Sequence, residues 1–281
     1  QSWRTTVMES IFQSRKKREG LNNMNRSLWA TETTMAGQRV SKIAFGTEHL
    51  NQFVPSFSGK ILSDAARLHN VFFWDTDNCY GSQPAVAAGL KLQPREKIVV
   101  TSKTYADTED EAWSSVRKIL KDLDTPYIDF CLLHGVESGK LEGKMPALKA
   151  LREMKEQGLV RHIGLSTHCA DVAWACSDIA GIEVLCVTFN RDGSRIDQGN
   201  LDGMIRALDK AHNQKGLGTY VIKTLGRGDL VHDVRGALGW VLDYHDCIDV
   251  LNIGYANLRE LRQDLQVVNE DFDALEVSAN E

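Results

Sequence analysis

Three features that would mark other classes of protein are missing from this 281-residue sequence. No apolar run reaches the roughly 18 residues that a transmembrane helix needs, so we expect no membrane span. No apolar core follows the basic residues near the N-terminus, so we expect no secretory leader. No G-x-G-x-x-G motif follows the first strand-like run, which argues against a dinucleotide-binding open sheet.

Paired cysteines are also missing. The six cysteines are scattered at positions 79, 131, 169, 176, 186 and 247, and none forms a C-x-x-C pair. This spacing gives no support for a metal or iron–sulfur site, so we expect no metal. The cysteines are typical of buried free thiols in a reducing compartment, and we therefore expect a cytoplasmic protein.

Charge is unevenly distributed in a chain whose net charge is −5. The segment "SRKKREG" near the N-terminus is basic, whereas the rest of the chain is acidic. Such a cluster can contact nucleic acid or anionic lipid, but a solvated arm is the more common case. The acidic body argues against nucleic-acid binding. We predict a basic arm over 1–24, one domain over 25–271 and a loose acidic tail over 272–281.

From residue 42 onward, short apolar runs alternate with amphipathic helical patterns. The strand-like runs cover residues 42–47, 71–77, 97–104, 127–135, 160–167, 184–190, 218–226 and 247–255. Strands that are apolar on both faces and alternate with helices form a parallel sheet, and eight such units favour closure. We predict an α/β fold of the (β/α)8 TIM-barrel class with an N-terminal hairpin within 25–41. An open doubly wound sheet is the alternative.

Polar side chains follow three consecutive predicted strands. The stretch "FFWDTDNCYG" places Asp75, Asp77 and Tyr80 after the second strand, and Lys103 and His134 end the next two. Active sites of such barrels lie at the C-terminal ends of the strands. A lysine near a tyrosine lowers the pKa of the phenol, and a carboxylate keeps the lysine charged. This set suits protonation of a substrate oxygen, although each residue alone is compatible with a structural role.

The same motifs resemble those of the aldo-keto reductases. "D-x4-Y-G", the lysine that ends strand three and "LLH" at the end of strand four look like their catalytic tetrad, and "GLVRHIGLST", "VIKTLGRG" and "NIGYANLRELRQDL" look like their later segments. The resemblance implies that Tyr80 is the general acid, that Lys103 and Asp75 tune it, and that neutral His134 orients the carbonyl. It implies hydride transfer from a nicotinamide cofactor to a small aldehyde or ketone.

The resemblance also implies a set of cofactor-binding residues: Thr47, Ser166, Thr167, Cys186, Ile222, Lys223, Leu225, Gly226, Arg227, Gly228, Tyr255, Arg259, Gln263 and Asp264. Three of them depart from the family pattern at the nicotinamide. Thr167 replaces an asparagine, Cys186 a glutamine and Ile222 a stacking aromatic residue. The glycines of "LGRGDL" suit a pyrophosphate.

The adenosine end decides between NADPH and NADH. Ala256 stands where the family carries a cation for the 2′-phosphate, and Asp264 would repel that phosphate. Arg259 is the replacement cation, so we expect a modest preference for NADPH, with NADH possible. Two other functions stay open: a cofactor-binding regulatory module with little turnover, and a lyase or sugar-processing enzyme that uses Tyr80 and Lys103.

Overall fold

A computed structural model describes residues 32–269 of the chain and contains a closed barrel of eight parallel strands. The barrel order is β10-β3-β4-β5-β6-β7-β8-β9. The strands are β3 (Ile43–Gly46), β4 (Phe73–Asp75), β5 (Val99–Thr104), β6 (Ile128–Leu133), β7 (Val160–Thr167), β8 (Val184–Thr188), β9 (Gly218–Ile222) and β10 (Val250–Gly254). The predicted TIM-barrel class is confirmed.

Eight α-helices follow the barrel strands within the described range. They are α1 (Pro55–His69), α2 (Gln83–Leu90), α3 (Glu109–Leu123), α4 (Met145–Glu156), α5 (Ala170–Cys176), α6 (Leu201–Asp209), α7 (Val234–Leu242) and α8 (Leu258–Asn269). Helix α3 begins with a capping box of Thr108 and Glu111, which satisfies two of the free amides at its start. Helix α4 ends two residues before Gly158, which adopts a left-handed φ of 76°.

The predicted hairpin forms from β1 (Glu32–Met35) and β2 (Gln38–Ser41), which pair antiparallel. A Cβ atom placed on Gly218 would lie 2.4 Å from Cγ of Met35, so the hairpin packs directly under the start of β9. It closes the N-terminal end of the barrel and leaves the opposite end for chemistry. The predicted basic arm and acidic tail lie outside the described residues, and their boundaries stay predictions.

The barrel strands are buried on both faces, as the continuous apolar runs indicate. Every residue of β5 and β6 is buried, including Lys103 and the polar residues around it. Seven of the eight strands are shorter than the apolar runs, because the chain turns into loops once it leaves the sheet, whereas β7 spans its whole run. Strand β4, for example, stops at Asp75, and Asp77 lies in the loop that follows. None of the described helices is long and apolar enough to cross a membrane.

Candidate active site

A buried ion pair lies at the C-terminal end of the barrel. Nζ of Lys103 on β5 is 2.6 Å from Oδ1 of Asp75, the last residue of the neighbouring strand β4. The ammonium also donates to the carbonyl oxygen of Thr76 at 3.0 Å. The two side chains are only 1% and 2% exposed, so the pair that the sequence predicted is confirmed and is shielded from solvent. Burial is the largest single influence and lowers the pKa of Lys103, but Asp75 and the other acidic groups nearby together raise it more, so the net pKa lies above its usual value and the lysine stays charged.

A tyrosine that sequence reasoning missed completes this ion pair. The hydroxyl of Tyr220 on β9 donates to Oδ2 of Asp75 at 2.8 Å, across the interior of the barrel. Burial raises the pKa of Tyr220 well above its usual value, so its hydroxyl is a permanent donor. The sequence could have indicated Tyr220 as a site residue, because it lies two residues before Ile222 and side chains at this spacing share one face of a strand. Both oxygens of Asp75 are therefore occupied.

Tyr80 lies above this pair, in the loop between β4 and α2. Nζ of Lys103 is 5.1 Å from the centre of the Tyr80 ring. The sequence analysis expected the charge of Lys103 to give Tyr80 a pKa below its usual value. For the protein without a bound cofactor, that expectation is wrong. Lys103 is the largest single influence and lowers the pKa, but burial and the carboxylates of Asp75, Asp77 and Glu48 raise it above its usual value. Tyr80 is therefore a neutral proton donor throughout the physiological pH range.

His134 follows β6 and faces the same opening. Its ring stacks on Tyr105, with ring centres 4.4 Å apart, and meets the edge of Tyr80 at 6.2 Å. Its Nδ1 atom lies 2.6 Å from Oδ2 of Asp77, a carboxylate to which the sequence assigned no role. Tyr105, exposed at the rim, is a second residue that sequence reasoning missed. The structure thus brings Tyr80, Lys103, Asp75 and His134 together at one end of the barrel.

Several predicted nicotinamide contacts already bind the protein itself. The Thr47 hydroxyl donates to the Asp75 carbonyl oxygen at 3.0 Å, and the Thr167 hydroxyl donates to the Val136 carbonyl oxygen at 2.6 Å. Ser166 Oγ accepts the Gly135 amide at 2.9 Å. These side chains hold the loops after β4 and β6 in place. Their role toward a cofactor stays a prediction, and each would have to exchange or share a hydrogen bond to fulfil it.

Cys186 and Ile222 occupy different depths at the ends of their strands. The Cys186 thiol is completely buried beside Tyr220, and burial raises its pKa to about 12, so it is a neutral thiol. Ile222 is partly exposed at the end of β9. Cys186 therefore contributes to packing around the ion pair, whereas Ile222 has an accessible apolar surface on which a flat ring can pack.

A histidine–lysine cluster lies at the rim beside these residues. Nζ of Lys223 is 2.7 Å from Nε2 of His168, whose Nδ1 is 2.9 Å from Oδ2 of Asp197. Burial and the Lys223 charge lower the pKa of His168, so the ring is neutral, with Nδ1–H directed to Asp197 and Nε2 accepting from Lys223. His168 is a further residue to which sequence reasoning assigned no contact.

The turn after β9 presents positive charge and open backbone. Leu225 precedes a short helical turn, Gly226–Gly228, in which Arg227 adopts a left-handed φ of 62°. A Cβ on Gly228 would meet nothing within 4 Å, so the backbone there is approachable. The buried Thr224 hydroxyl nearby has no hydrogen-bond partner among residues 32–269. Together with Lys223 and Arg227, these groups fit the pyrophosphate of a dinucleotide.

The start of α8 carries both a cation and an anion. Arg259 and Gln263 are exposed, whereas Asp264 is buried beside Tyr255. Burial and the charge of Glu260 raise the pKa of Asp264, whereas the Tyr255 hydroxyl lowers it. The net pKa is about 6. Glu260, which the sequence analysis did not consider, accepts the Ala256 amide at 2.8 Å. A carboxylate thus occupies a backbone donor at a helix start, where phosphates commonly bind.

The family is settled by comparison of the whole sequence with known families. Residues 42–236 match the model of the aldo/keto reductase family. The chain belongs to this family. The match covers seven of the eight barrel strands, β3 to β9, and ends in the first turn of α7, and it includes Asp75, Tyr80, Lys103 and His134.

Relatives and solved structures agree with this assignment. The methylglyoxal reductase DkgB of Salmonella typhi is 32% identical over 96 residues, which are 33% of this chain and 36% of DkgB. An aldo-keto reductase of Mycobacterium avium is 27% identical over 163 residues, covering 57% of this chain and 54% of that protein. The chain therefore spans about a third to a half of the length of these relatives.

The barrel is also similar to solved aldo-keto reductase structures. A Pseudomonas aeruginosa protein has a TM-score of 0.73 at 21% identity, covering 87% of this chain and 96% of that one. The holo form of AKR11C1 from Bacillus halodurans has a TM-score of 0.70 at 17% identity, covering 85% and 91%. At these identities the similarity concerns the fold.

Replacement of Lys103 by methionine tests the buried ion pair. Lys103→Met keeps most of the side-chain volume but leaves Asp75 charged and buried without its partner. We expect the free energy of unfolding to fall by about 3–5 kcal/mol, as is typical for one half of a buried pair. The double variant Asp75→Asn with Lys103→Met should recover most of this loss in urea unfolding. A single variant as stable as the parent would contradict a charged pair.

Proposed function

We propose that this protein is a nicotinamide-dependent reductase of small aldehydes or ketones, with Tyr80 as the general acid. The observation that carries the proposal is the buried Lys103–Asp75 pair at 2.6 Å, with Nζ of Lys103 5.1 Å from the centre of the Tyr80 ring and the His134 ring 6.2 Å from that ring. Family membership supports the same chemistry. The relatives named methylglyoxal reductases make methylglyoxal the first substrate to try.

The protein residues have separate tasks in this reaction. Ile222, Lys223 and Arg227 would hold a nicotinamide cofactor, which would supply a hydride to the carbonyl carbon, and negative charge would then develop on the carbonyl oxygen. Tyr80 donates its phenolic proton to that oxygen, which completes the alcohol and leaves a phenolate. Lys103 stabilises the phenolate until water at the open rim returns the proton. The negative charge develops only during the reaction, so Lys103 favours the transition state more than the ground state.

The proposed cofactor site runs from the ion pair to the start of α8. Ile222 offers an apolar surface to the nicotinamide, Lys223 and Arg227 offer charge to the pyrophosphate, and Tyr255 lies near the adenosine end. Arg259 supports a modest preference for NADPH over NADH. Glu260 opposes this preference, because its carboxylate already holds the Ala256 amide.

A second candidate function is a cofactor-binding regulatory module with little turnover. It is favoured by the hydroxyls of Ser166 and Thr167, which are both engaged by the loop after β6. A nicotinamide that Ser166 and Thr167 hold only loosely would transfer hydride slowly, because small displacements of the reacting atoms lower the rate strongly. The two functions differ in turnover and not in the affinity for the cofactor.

Removal of the Tyr80 hydroxyl tests the proposed general acid. Tyr80→Phe should lower kcat for carbonyl reduction by about 10²–10⁴-fold, because the proton is needed only as the alkoxide forms. The dissociation constant for the cofactor should stay within about twofold by fluorescence titration. Tyr127→Phe is the matched control, since Tyr127 packs between Arg95 and Arg161, away from the rim. Near-parent turnover of Tyr80→Phe would remove the assigned role.

Two variants on one helical turn test the cofactor preference. Arg259→Ala should weaken NADPH binding up to about tenfold, the value of a 1.4 kcal/mol contact. Glu260→Gln keeps an acceptor for the Ala256 amide but removes the charge, so it should tighten NADPH binding severalfold. Neither change should alter the dissociation constant for NADH.

Arg262→Ala is the control for this pair of variants, because Arg262 faces His69 on α1. Equal changes in the dissociation constants for NADPH and NADH would show that the start of α8 does not contact the 2′-phosphate. Failure of both cofactors to bind at millimolar concentration would contradict the proposed site itself.

A further inference from the structure

A cation lies at the strand ends to which the sequence analysis assigned the nicotinamide. Lys223 directly follows Ile222 at the end of β9, and its side chain crosses the end of β8 toward β7. There its Nζ is 2.7 Å from Nε2 of His168, the residue directly after Thr167. The ammonium is also close enough to act on the pKa of the Cys186 thiol on β8, where burial is the largest influence. These three strands carry all three departures from the family pattern.

The proton in the contact between Lys223 and His168 belongs to the lysine. An amine is a much stronger base than an imidazole, so Nζ donates and Nε2 accepts. The ring carries its own proton on Nδ1, which lies 2.9 Å from Oδ2 of Asp197. The Asp197 amide also donates to the His168 carbonyl oxygen at 3.0 Å, which fixes the carboxylate beside the ring. His168 is thus a neutral acceptor that holds a charged lysine in place.

The backbone of Lys223 is fixed as well. The residue has a left-handed φ of 59°, which is uncommon for a residue with a Cβ atom. Its carbonyl oxygen accepts the Gly226 amide at 2.8 Å and the Asn190 side-chain amide at 3.2 Å. Strained backbone of this kind concentrates at ligand sites, where the surrounding contacts maintain it. The ammonium therefore cannot leave the end of β9 without the loss of a hydrogen bond.

We propose that Lys223, positioned by His168, makes the site select the reduced nicotinamide cofactor over the oxidised one. The nicotinamide ring is positively charged when oxidised and neutral once it carries the hydride. A fixed ammonium beside the ring repels the oxidised form and not the reduced form. The repulsion is stronger here than in water, because part of the space between the charges is protein. This inference rests on the proposed cofactor site.

The consequence is easier release of the spent cofactor. Carbonyl reduction produces the oxidised cofactor, and release of a product limits turnover in many enzymes. The same ammonium disfavours the ring charge that forms during hydride transfer, so its advantage lies in release and not in the chemical step. Selection of the reduced form also suits the second candidate function, in which the protein binds cofactor and turns over slowly.

Lys223 lies next to the turn assigned to the pyrophosphate, and its charge would attract those phosphates too. That attraction is the same for both oxidation states, because the two forms differ only in the nicotinamide ring. The ratio of the two dissociation constants therefore cancels a pyrophosphate contribution and measures the charge beside the ring. Arg227, in the same turn and 3.7 Å from Glu48, is the matched cation for a control.

Lys223→Met tests the charge at nearly constant side-chain volume. Calorimetric titration without a carbonyl substrate gives the dissociation constants for NADP⁺ and NADPH. In the parent, NADP⁺ should bind about tenfold more weakly than NADPH, and in Lys223→Met the two constants should agree within about twofold. Lys223→Arg keeps the charge and should retain the parent ratio. The same ratio in the parent and in Lys223→Met would overturn the proposal.

Two further sets of variants examine the control cation and the role of His168. Arg227→Met should weaken the binding of both forms by the same factor and leave the ratio unchanged. His168→Gln keeps an acceptor for Lys223 and a donor for Asp197, so it should retain the ratio, whereas His168→Leu removes both and should lower it. A fall of the ratio in Arg227→Met as large as in Lys223→Met would show a general effect of positive charge and overturn the role of Lys223.

These outcomes separate the inference from the proposed function. Binding with the expected ratios but without carbonyl reduction would contradict the proposed function and leave the selection intact. Carbonyl reduction with a ratio that does not depend on Lys223 would overturn the selection and leave the function intact. If neither form binds at millimolar concentration, the proposed cofactor site and the selection are both contradicted.

Discussion

The buried ammonium of Lys103 is the constraint on which the rest of the site depends. An unpaired charge at this depth would cost several kcal/mol, so the surrounding chain must supply its partners. Asp75 neutralises it at 2.6 Å, the Thr76 carbonyl accepts from it, and Tyr220 fills the second oxygen of Asp75. The end of β4 is therefore fixed by hydrogen bonds from two other strands. The position of Tyr80, five residues after Asp75, follows from this anchoring.

The same pair explains why Tyr80 is neutral at rest and yet suited to give up its proton. Lys103 lowers the pKa of Tyr80, but burial and the carboxylates of Asp75, Asp77 and Glu48 raise it, so the net pKa is high in the chain alone. A carbonyl that becomes an alkoxide is a far stronger base than the resting substrate. The phenol needs to transfer its proton only then, and Lys103 is already in place to stabilise the phenolate.

Much of this structure is predictable from the sequence because it depends on local patterns. The eight apolar runs predicted the barrel. A lysine, an aspartate and a histidine at strand ends predicted the ion pair and its neighbours. Tyr220 was missed because its partner lies 145 positions away in the sequence, across the barrel. The sequence analysis assigned no role to Asp77 or Glu260, because the role of a carboxylate depends on the atoms that it contacts in the folded chain. The pKa of Tyr80 depends on burial and on opposing charges, neither of which a sequence motif records.

The departures at the nicotinamide end make hydride transfer the central question. Cofactor deuterated at C4 of the nicotinamide, bound to the protein and mixed with methylglyoxal, measures that transfer directly by mass spectrometry of the product. A reductase places one deuterium on the new carbinol carbon for each oxidised cofactor. Bound cofactor that transfers no deuterium to this or any other aldehyde or ketone tested would contradict the account and leave the barrel as a binding module.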